Sequence, residues 1–373
     1  MAKQWMKYGV GIDVSKDQLH ACLSGMQADQ RITVIAQRKF NNTLVGFEQL
    51  GQWIGKHRKQ AAVELQAVLE VTGVYHEGVL YFLYEQGIDV SLQLAKRTKR
   101  YVQSLGYDSK TDRLDGQGLS HMACERRLEL WRPICAKIGE IRTLLRHRKA
   151  LLVARMQFNN QLHALEYAQL KPQTVMRSLQ EMIARLDAQI EQLGTQALEL
   201  ARQDDALWAN VERIVDSLKG VGALSIVGII AETNGFESFS NAKQVVRYAG
   251  LDIIENSSGQ HQGKTRISKQ GNARIRNLLF MPSLSLVRYK VDPFYSIYLR
   301  LIRRNGGIKM KALVSIQRKL LILLFRLWKT QQAFDPDYSA KVLQKGKPKR
   351  GVAPETSEAT GDRTALNSPS HAA

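Results

Sequence analysis

Along the first hundred residues the apolar positions switch between two periods, and the switching predicts a domain of mixed strands and helices. Residues 8–14 form a short apolar run with glycines, and residues 19–23 resume an alternating pattern. Residues 31–40 alternate with a period of two, as a strand half-exposed on a sheet does. Residues 46–59 read as an amphipathic helix and residues 63–71 as a strand broken by Thr72-Gly73. Residues 76–86 then look helical and residues 88–94 strand-like. A strand meander followed by strands alternating with helices puts one sheet in the middle of an α/β domain.

From about residue 128 the pattern changes to long helical periodicity with few glycines. Val175, Leu179, Met182, Leu186, Ile190, Leu193, Ala197 and Leu200 step mostly by three and four, which makes a seam for a coiled coil, a helical hairpin or an ordinary bundle. Ile138, Ile141, Leu145, Leu152 and Met156 supply a partner helix, and Lys171-Pro172 marks the turn. A third unit begins near residue 211 with Leu218-Lys219-Gly220-Val221-Gly222 ahead of a small apolar helix over 223–232. Such a turn either points backbone N–H groups at a phosphate or serves tight helix packing. After about residue 331 the apolar periodicity is lost, Lys and Arg cluster, and Pro, Ser, Thr and Ala take over, the composition of a disordered basic tail. The expected division is 1–127, 128–205 as a helical oligomerisation segment, 206–330, and a tail over 331–373.

Charge sharpens this outline. The 373 residues carry 54 Lys and Arg against 34 Asp and Glu, a net charge of +20, which points to a polyanionic partner, above all nucleic acid. Three cysteines are too few and too scattered for a disulfide framework or a zinc site, so free thiols in a reducing cytoplasm are expected. No apolar run follows the N-terminal lysines as in a signal peptide. The longest apolar stretch, residues 320–325, is far short of the ~20 residues of a membrane span. The expected setting is the cytoplasm.

Two constellations carry candidate chemistry. Asp13 sits on the first apolar strand, Glu70 ends a later one, and Asp112 and Asp115 are three apart at the start of a helix, on one face of it. Each alone has a structural explanation: a strand-end charge, an arginine partner, or a favourable charge at a helix N-terminus. As a set they form an oxygen-donor group suited to Mg²⁺ or Mn²⁺, the hard cations used in phosphodiester chemistry. The second constellation is Asn256-Ser257-Ser258-Gly259-Gln260, a serine-glycine loop that either attacks a phosphodiester or only binds one. It runs into Lys264, Arg266, Lys269 and Asn272 and a basic helix with Arg274 and Arg276, groups suited to phosphate oxygens. Arg300, Arg303, Arg304, Lys309, Lys311, Arg318 and Lys319 add charge further on.

Together these segments resemble a known family. Gly11-Ile12-Asp13-Val14-Ser15-Lys16, Glu70-Val71-Thr72-Gly73-Val74-Tyr75-His76 and Lys110-Thr111-Asp112-Arg113-Leu114-Asp115 resemble the N-terminal domain of the DEDD insertion-sequence transposases, which include the Piv/MooV DNA invertases. Tyr248-Ala249-Gly250-Leu251, Ser257-Ser258-Gly259 and Arg266-Ile267-Ser268-Lys269-Gln270-Gly271-Asn272 resemble the family's C-terminal transposase domain. Gly116 follows Asp115 where alanine is usual. The resemblance implies a RuvC-like, RNase H-type first domain, a helical coiled-coil middle and a mainly helical C-terminal domain. It implies that Asp13, Glu70, Asp112 and Asp115 hold Mg²⁺ and that Ser258, not Ser257, becomes covalently joined to DNA. It further implies guidance by a structured non-coding RNA that pairs with donor and target DNA, and a tetramer, a dimer of dimers, in which one subunit's metal site completes another's serine site. Two rivals stand beside it: a Holliday-junction resolvase-like nuclease whose serine loop only binds, and a non-catalytic architectural protein.

Overall fold

A computed structural model describes residues 4–106, 112–254, 257–258, 261–262 and 266–337. The chain divides into two compact units at Ile134/Cys135. In the first, β1 (Trp5–Val14), β2 (Gln18–Gln27) and β3 (Ile32–Asn41) form the meander, followed by α1 (Leu44–His57), β4 (Glu64–Glu70), α2 (Glu77–Glu85), β5 (Asp89–Gln93), α3 (Ala95–Ser104) and α4 (Asp112–Glu125). The strand order is β3-β2-β1-β4-β5. The first three strands pair antiparallel, and β4 and β5 join parallel to β1. This is the RNase H-type arrangement that the resemblance implied.

The two faces of this sheet are covered differently. Val10, Ile12, Leu19, Leu23 and Leu69 pack with Phe47, Leu50 and Trp53 of α1 and Val79, Leu80 and Leu83 of α2 into one core. The other face carries little bulk. On β1 it presents Gly9 and Gly11, where an added Cβ would overlap the backbone carbonyls of Ser120 and Gly116 in α4. The helix therefore lies almost backbone to backbone on the strand. Ser120 Oγ meets Ser24 Oγ of β2 at 2.7 Å and donates to Cys22 Sγ at 3.3 Å, so the contact is hydrogen-bonded as well as close. Leu119, Met122 and Ala123 of α4 join Val68 of β4 and Tyr101 of α3 in a second, smaller core.

The polar helix α3 does not show in the apolar pattern, because only Thr98, Tyr101 and Val102 of its ten residues are buried.

The second unit is built on helices. α5 (Ala136–Tyr167) and α6 (Gln173–Arg202) form a long hairpin about the expected Lys171-Pro172 turn, followed by α7 (Asp205–Ser217), α8 (Ala223–Thr233) and α9 (Ala242–Tyr248). Four two-residue strands come next, β6 (Ile253–Ile254), β7 (Ser257–Ser258), β8 (His261–Gln262) and β9 (Arg266–Ile267). α10 (Ala273–Arg288), α11 (Phe294–Arg304) and α12 (Lys309–Thr330) complete the unit. α8, apolar all round, is its centre, buried from Ile226 to Thr233. Gly220, with φ +96°, lies against Tyr289 and Ser285, which gives the glycine turn before α8 a packing role. Phe334 folds back, its N–H donating to Ser217 Oγ at 3.0 Å. Residues 338–373, most of the expected tail, lie outside the described residues.

Gly11→Ala is expected to destabilise the chain by about 3 kcal/mol, because the added methyl meets backbone that cannot rotate away. Gly55→Ala on α1, where a Cβ meets nothing within 4 Å, is the control and is expected to be neutral or stabilising by about 0.5–1 kcal/mol. Urea unfolding of both variants, followed by tryptophan fluorescence, checks the pair.

Candidate functional site

The pairing register lines up the chemistry of the first unit. Asp13 lies opposite His20, and His20 opposite Lys39. The parallel ladder runs up to Ile12 beside Leu69, so one step further Asp13 and Glu70 are level on neighbouring strands. Glu70 in turn pairs with Gln93 of β5. Residues level with one another share a face, and side chains alternate along a strand. Gly11 and Val68 face α4, so Asp13 and Glu70, two positions on, face the same way. A transverse row Lys39–His20–Asp13–Glu70–Gln93 therefore crosses the α4 face, with its two carboxylates on strands ~4.8 Å apart.

The first turn of α4 comes down beside this row. Asp115 precedes Gly116, whose carbonyl sits over Gly11. Asp112 is the first residue of α4, and its side chain lies outside the described residues. Among the described residues no group of three or more His, Cys, Asp or Glu is gathered closely enough to hold a metal ion. The donor set is nonetheless all-oxygen, and Asp13 and Glu70 are half-buried side by side, which fits a hard divalent cation better than a zinc site.

Two supporting residues escape a reading of the sequence. Thr98 of α3, buried, donates its hydroxyl to Glu70 Oε2 and fixes that carboxylate. Asn42 donates from its side-chain amide to Ser15 O at 3.0 Å, Lys16 O at 3.3 Å and Tyr75 O at 3.0 Å. It ties the loop that follows Asp13 to the loop that follows Glu70. Neither residue belongs to a spacing pattern, and only the fold brings each to its partner.

In the second unit the serine segment is a nested hairpin. Ile253–Ile254 pair with Arg266–Ile267, and beyond them Ser257 pairs with Gln262 and Ser258 with His261. The side chains of Ser257 and Ser258 lie outside the described residues, as do Gly259 and Lys264. Arg266 and Lys269 are exposed at the hairpin base. That base is tightly held: Asn272 N donates to Tyr248 O at 2.7 Å, and Arg276 donates to Ala249 O at 2.8 Å.

Beneath it lies Glu232, the acid at the end of the apolar α8. Arg146 of α5 grips it with two hydrogen bonds, 2.8 and 2.9 Å, and Asn272 Nδ2 adds a third at 2.8 Å. Tyr248 donates to the Glu232 backbone carbonyl at 3.3 Å. Asn272 also caps α10 by accepting from Arg274 N at 2.9 Å. Expected as a phosphate ligand, Asn272 thus joins α8 to the start of α10. Arg274 lines a cavity of about 250 Å³ with Arg142, Arg146 and Lys149, basic residues of α5 that no motif marked out.

Burial pushes the Glu232 carboxyl up, but the Arg146 and Asn272 hydrogen bonds and the charges of Arg146 and Arg142 outweigh it and hold the group below its ordinary 4.5. A lowered folded value means stability that is complete above pH 4.5 and lost as pH falls through the folded value. Glu232→Gln is expected to cost about 1–3 kcal/mol at pH 7, with Arg146 left unmatched but partly solvated. It is also expected to flatten the acid limb of the stability profile, and urea unfolding between pH 3 and 7 measures both effects.

The sequence also matches known families. Residues 10–165 match the DEDD-type IS110 transposase domain, and residues 212–299 match the transposase IS116/IS110/IS902 family. The pilin gene-inverting protein of Moraxella bovis is 26% identical over 328 residues, covering 87% of this chain and 97% of that protein. The transposase for insertion sequence element IS1111A of Coxiella burnetii is 24% identical over 273 residues, 66% of this chain and 73% of that protein. A solved structure of Thermus thermophilus RuvC with a Holliday junction substrate aligns over 31% of this chain and 90% of its own at 11% identity, with a TM-score of 0.24. The fold assignment stands on the strand order of the first unit instead. With both transposase domains present in order, the chain belongs to the DEDD-type insertion-sequence transposases and their Piv relatives, and it is an enzyme of the transposase and DNA recombinase class.

Proposed function

We propose that this transposase cuts and rejoins DNA through a transient serine–DNA linkage, with Ser258 as the nucleophile and Asp13, Glu70, Asp112 and Asp115 as a metal-binding set. The observation that carries the reading is the row Asp13–Glu70 beside the first turn of α4 in one unit, together with a serine hairpin in the other. Mg²⁺, or Mn²⁺ in its place, supplies positive charge to the scissile phosphate when bound by the four carboxylates. Thr98 and Asn42 keep Glu70 and the loops after both acids in place. The Ser258 hydroxyl gives up its proton to solvent as its oxygen bonds to phosphorus, and the phosphorus–deoxyribose oxygen bond breaks, the departing oxygen taking up a proton to leave as a deoxyribose hydroxyl. The reverse exchange onto a new deoxyribose hydroxyl releases the serine, so the bond energy is conserved and no nucleotide cofactor is needed. Lys264, Arg266, Lys269, Arg274 and Arg276 contact the DNA backbone, and Asn272 holds the base of the hairpin in place for them.

Three further elements belong to the proposal. The partners are double-stranded donor and target DNA and a structured guide RNA, in keeping with the net charge of +20. The working form is a homo-oligomer, a dimer of dimers. The hairpin of α5 and α6 supports this through Val153, Met156, Val175 and Met182, apolar side chains exposed on it. The setting is the bacterial cytoplasm near the nucleoid.

Trapping the protein on DNA carrying the junction of its own element tests the chemistry. The covalent adduct is expected in Ser257→Ala and absent in Ser258→Ala. Asp13→Asn is expected to slow strand cleavage by about 10²–10³-fold, the several kcal/mol typical of metal-assisted phosphate chemistry. A second reading, a resolvase-like nuclease in which water attacks and the serine hairpin only binds, is favoured by the RNase H-type sheet. Under that reading cleavage survives Ser258→Ala and is lost in Asp13→Asn.

A further inference from the structure

The row that carries the acids does not stop at them. Beyond Asp13 it continues through His20 to Lys39 on the outer strand β3. A cavity of about 420 Å³ opens there, within the usual size range of a ligand site. Its floor is β2 and β3, with His20, Cys22, Gln37 and Lys39, and one wall is the start of α4, with Arg113 and Gly116.

Two of the residues around this cavity, Lys39 and Arg113, are basic and exposed, while the side chain of Arg38, between Gln37 and Lys39 on the strand, turns to the other face and lies over the Phe40 ring. Among the described residues neither Lys39 nor Arg113 has a carboxylate partner. Arg113 is instead held by a neutral group: its Nε donates to Gln37 Oε1 at 2.8 Å. That bond fixes the guanidinium over the cavity while leaving its terminal nitrogens for another acceptor. Cations gathered without counter-charge, one of them oriented, repel one another unless an anion comes between them. A phosphodiester is the anion that meets this description in a DNA recombinase, and guanidinium geometry suits its two free oxygens.

We infer that the cavity is a backbone subsite for the DNA strand being cut. It holds a phosphate flanking the scissile one through Lys39 and Arg113, so that the strand passes from the acids outward over β2 and β3. This rests on the reading of Asp13 and Glu70 as the cleavage site and adds the direction in which the strand leaves it. Arg113 is one residue from Asp112, so the same turn of α4 serves both the carboxylate set and this grip.

Equilibrium binding of the full-length protein to a fluorescently labelled duplex carrying its element junction, measured by anisotropy across a KCl series, tests the inference. Cleavage kinetics are measured on the same duplex. Lys39→Ala with Arg113→Ala is expected to reduce the slope of log affinity against log salt by about one, at ~0.9 for each phosphate no longer neutralised. It is also expected to raise KM for cleavage more than it lowers kcat. Lys39→Arg with Arg113→Lys is expected to restore most of the slope. Asp13→Asn is expected to keep the wild-type slope while losing cleavage. An unchanged slope and KM in the double alanine variant overturns the subsite, as does a loss confined to binding of a structured RNA. If Asp13→Asn cleaves normally, the carboxylate reading fails by itself, and the salt slope of the alanine variant still decides the subsite.

Discussion

The approach of α4 to β1 is the constraint on which the first unit depends. An ordinary helix stands off from a sheet because side chains fill the gap. Here Gly9 and Gly11 leave no side chain on the strand, and Gly116 and Ser120 offer backbone in return. The helix start therefore descends to the level of the strand ends, with Asp115 just ahead of the Gly116 carbonyl that sits over Gly11. The Ser24–Ser120 hydrogen bond under the contact then replaces some of the apolar burial given up by such a thin interface.

Much of this was legible in the sequence, for identifiable reasons. Strands of period two and long helices of period 3.6 leave strong marks, so β1 to β5 and the α5–α6 hairpin follow the expected pattern closely. The acids stand out because charge on an apolar strand has a desolvation cost that demands a purpose. What escaped was everything whose meaning lies in long-range contact. Thr98 and Asn42 are ordinary polar residues until the fold sets one against Glu70 and the other between two loops. Glu232 left a faint sign, a single acid closing an otherwise apolar helix, but its partner Arg146 lies 86 residues away. The glycines of β1 read only as part of an apolar run, and the fold alone shows that they admit a helix.

The two units solve the same problem of fixing polar groups by opposite means. The first lays its acids in register along a sheet, where strand pairing sets their spacing. The second fixes its serine hairpin from below: the buried charge of Glu232 is bound to α5 and α10, and Tyr248 of α9 holds its backbone. The first device is rigid because the ladder is, and the second because an unpaired buried carboxylate is too costly to tolerate.

Removal of side chains between α4 and the sheet has also set the chemistry of the thiols. Cys22 and Cys124 lie in that thin interface and are buried, and burial pushes the Cys124 thiol up to about 12. Cys135 alone is exposed, at the first residue of the second compact unit. The unaltered protein thus carries one addressable sulfur at the junction of its two units. A spin label or fluorophore attached there reports on the segment that joins them, with no cysteine engineered in or removed.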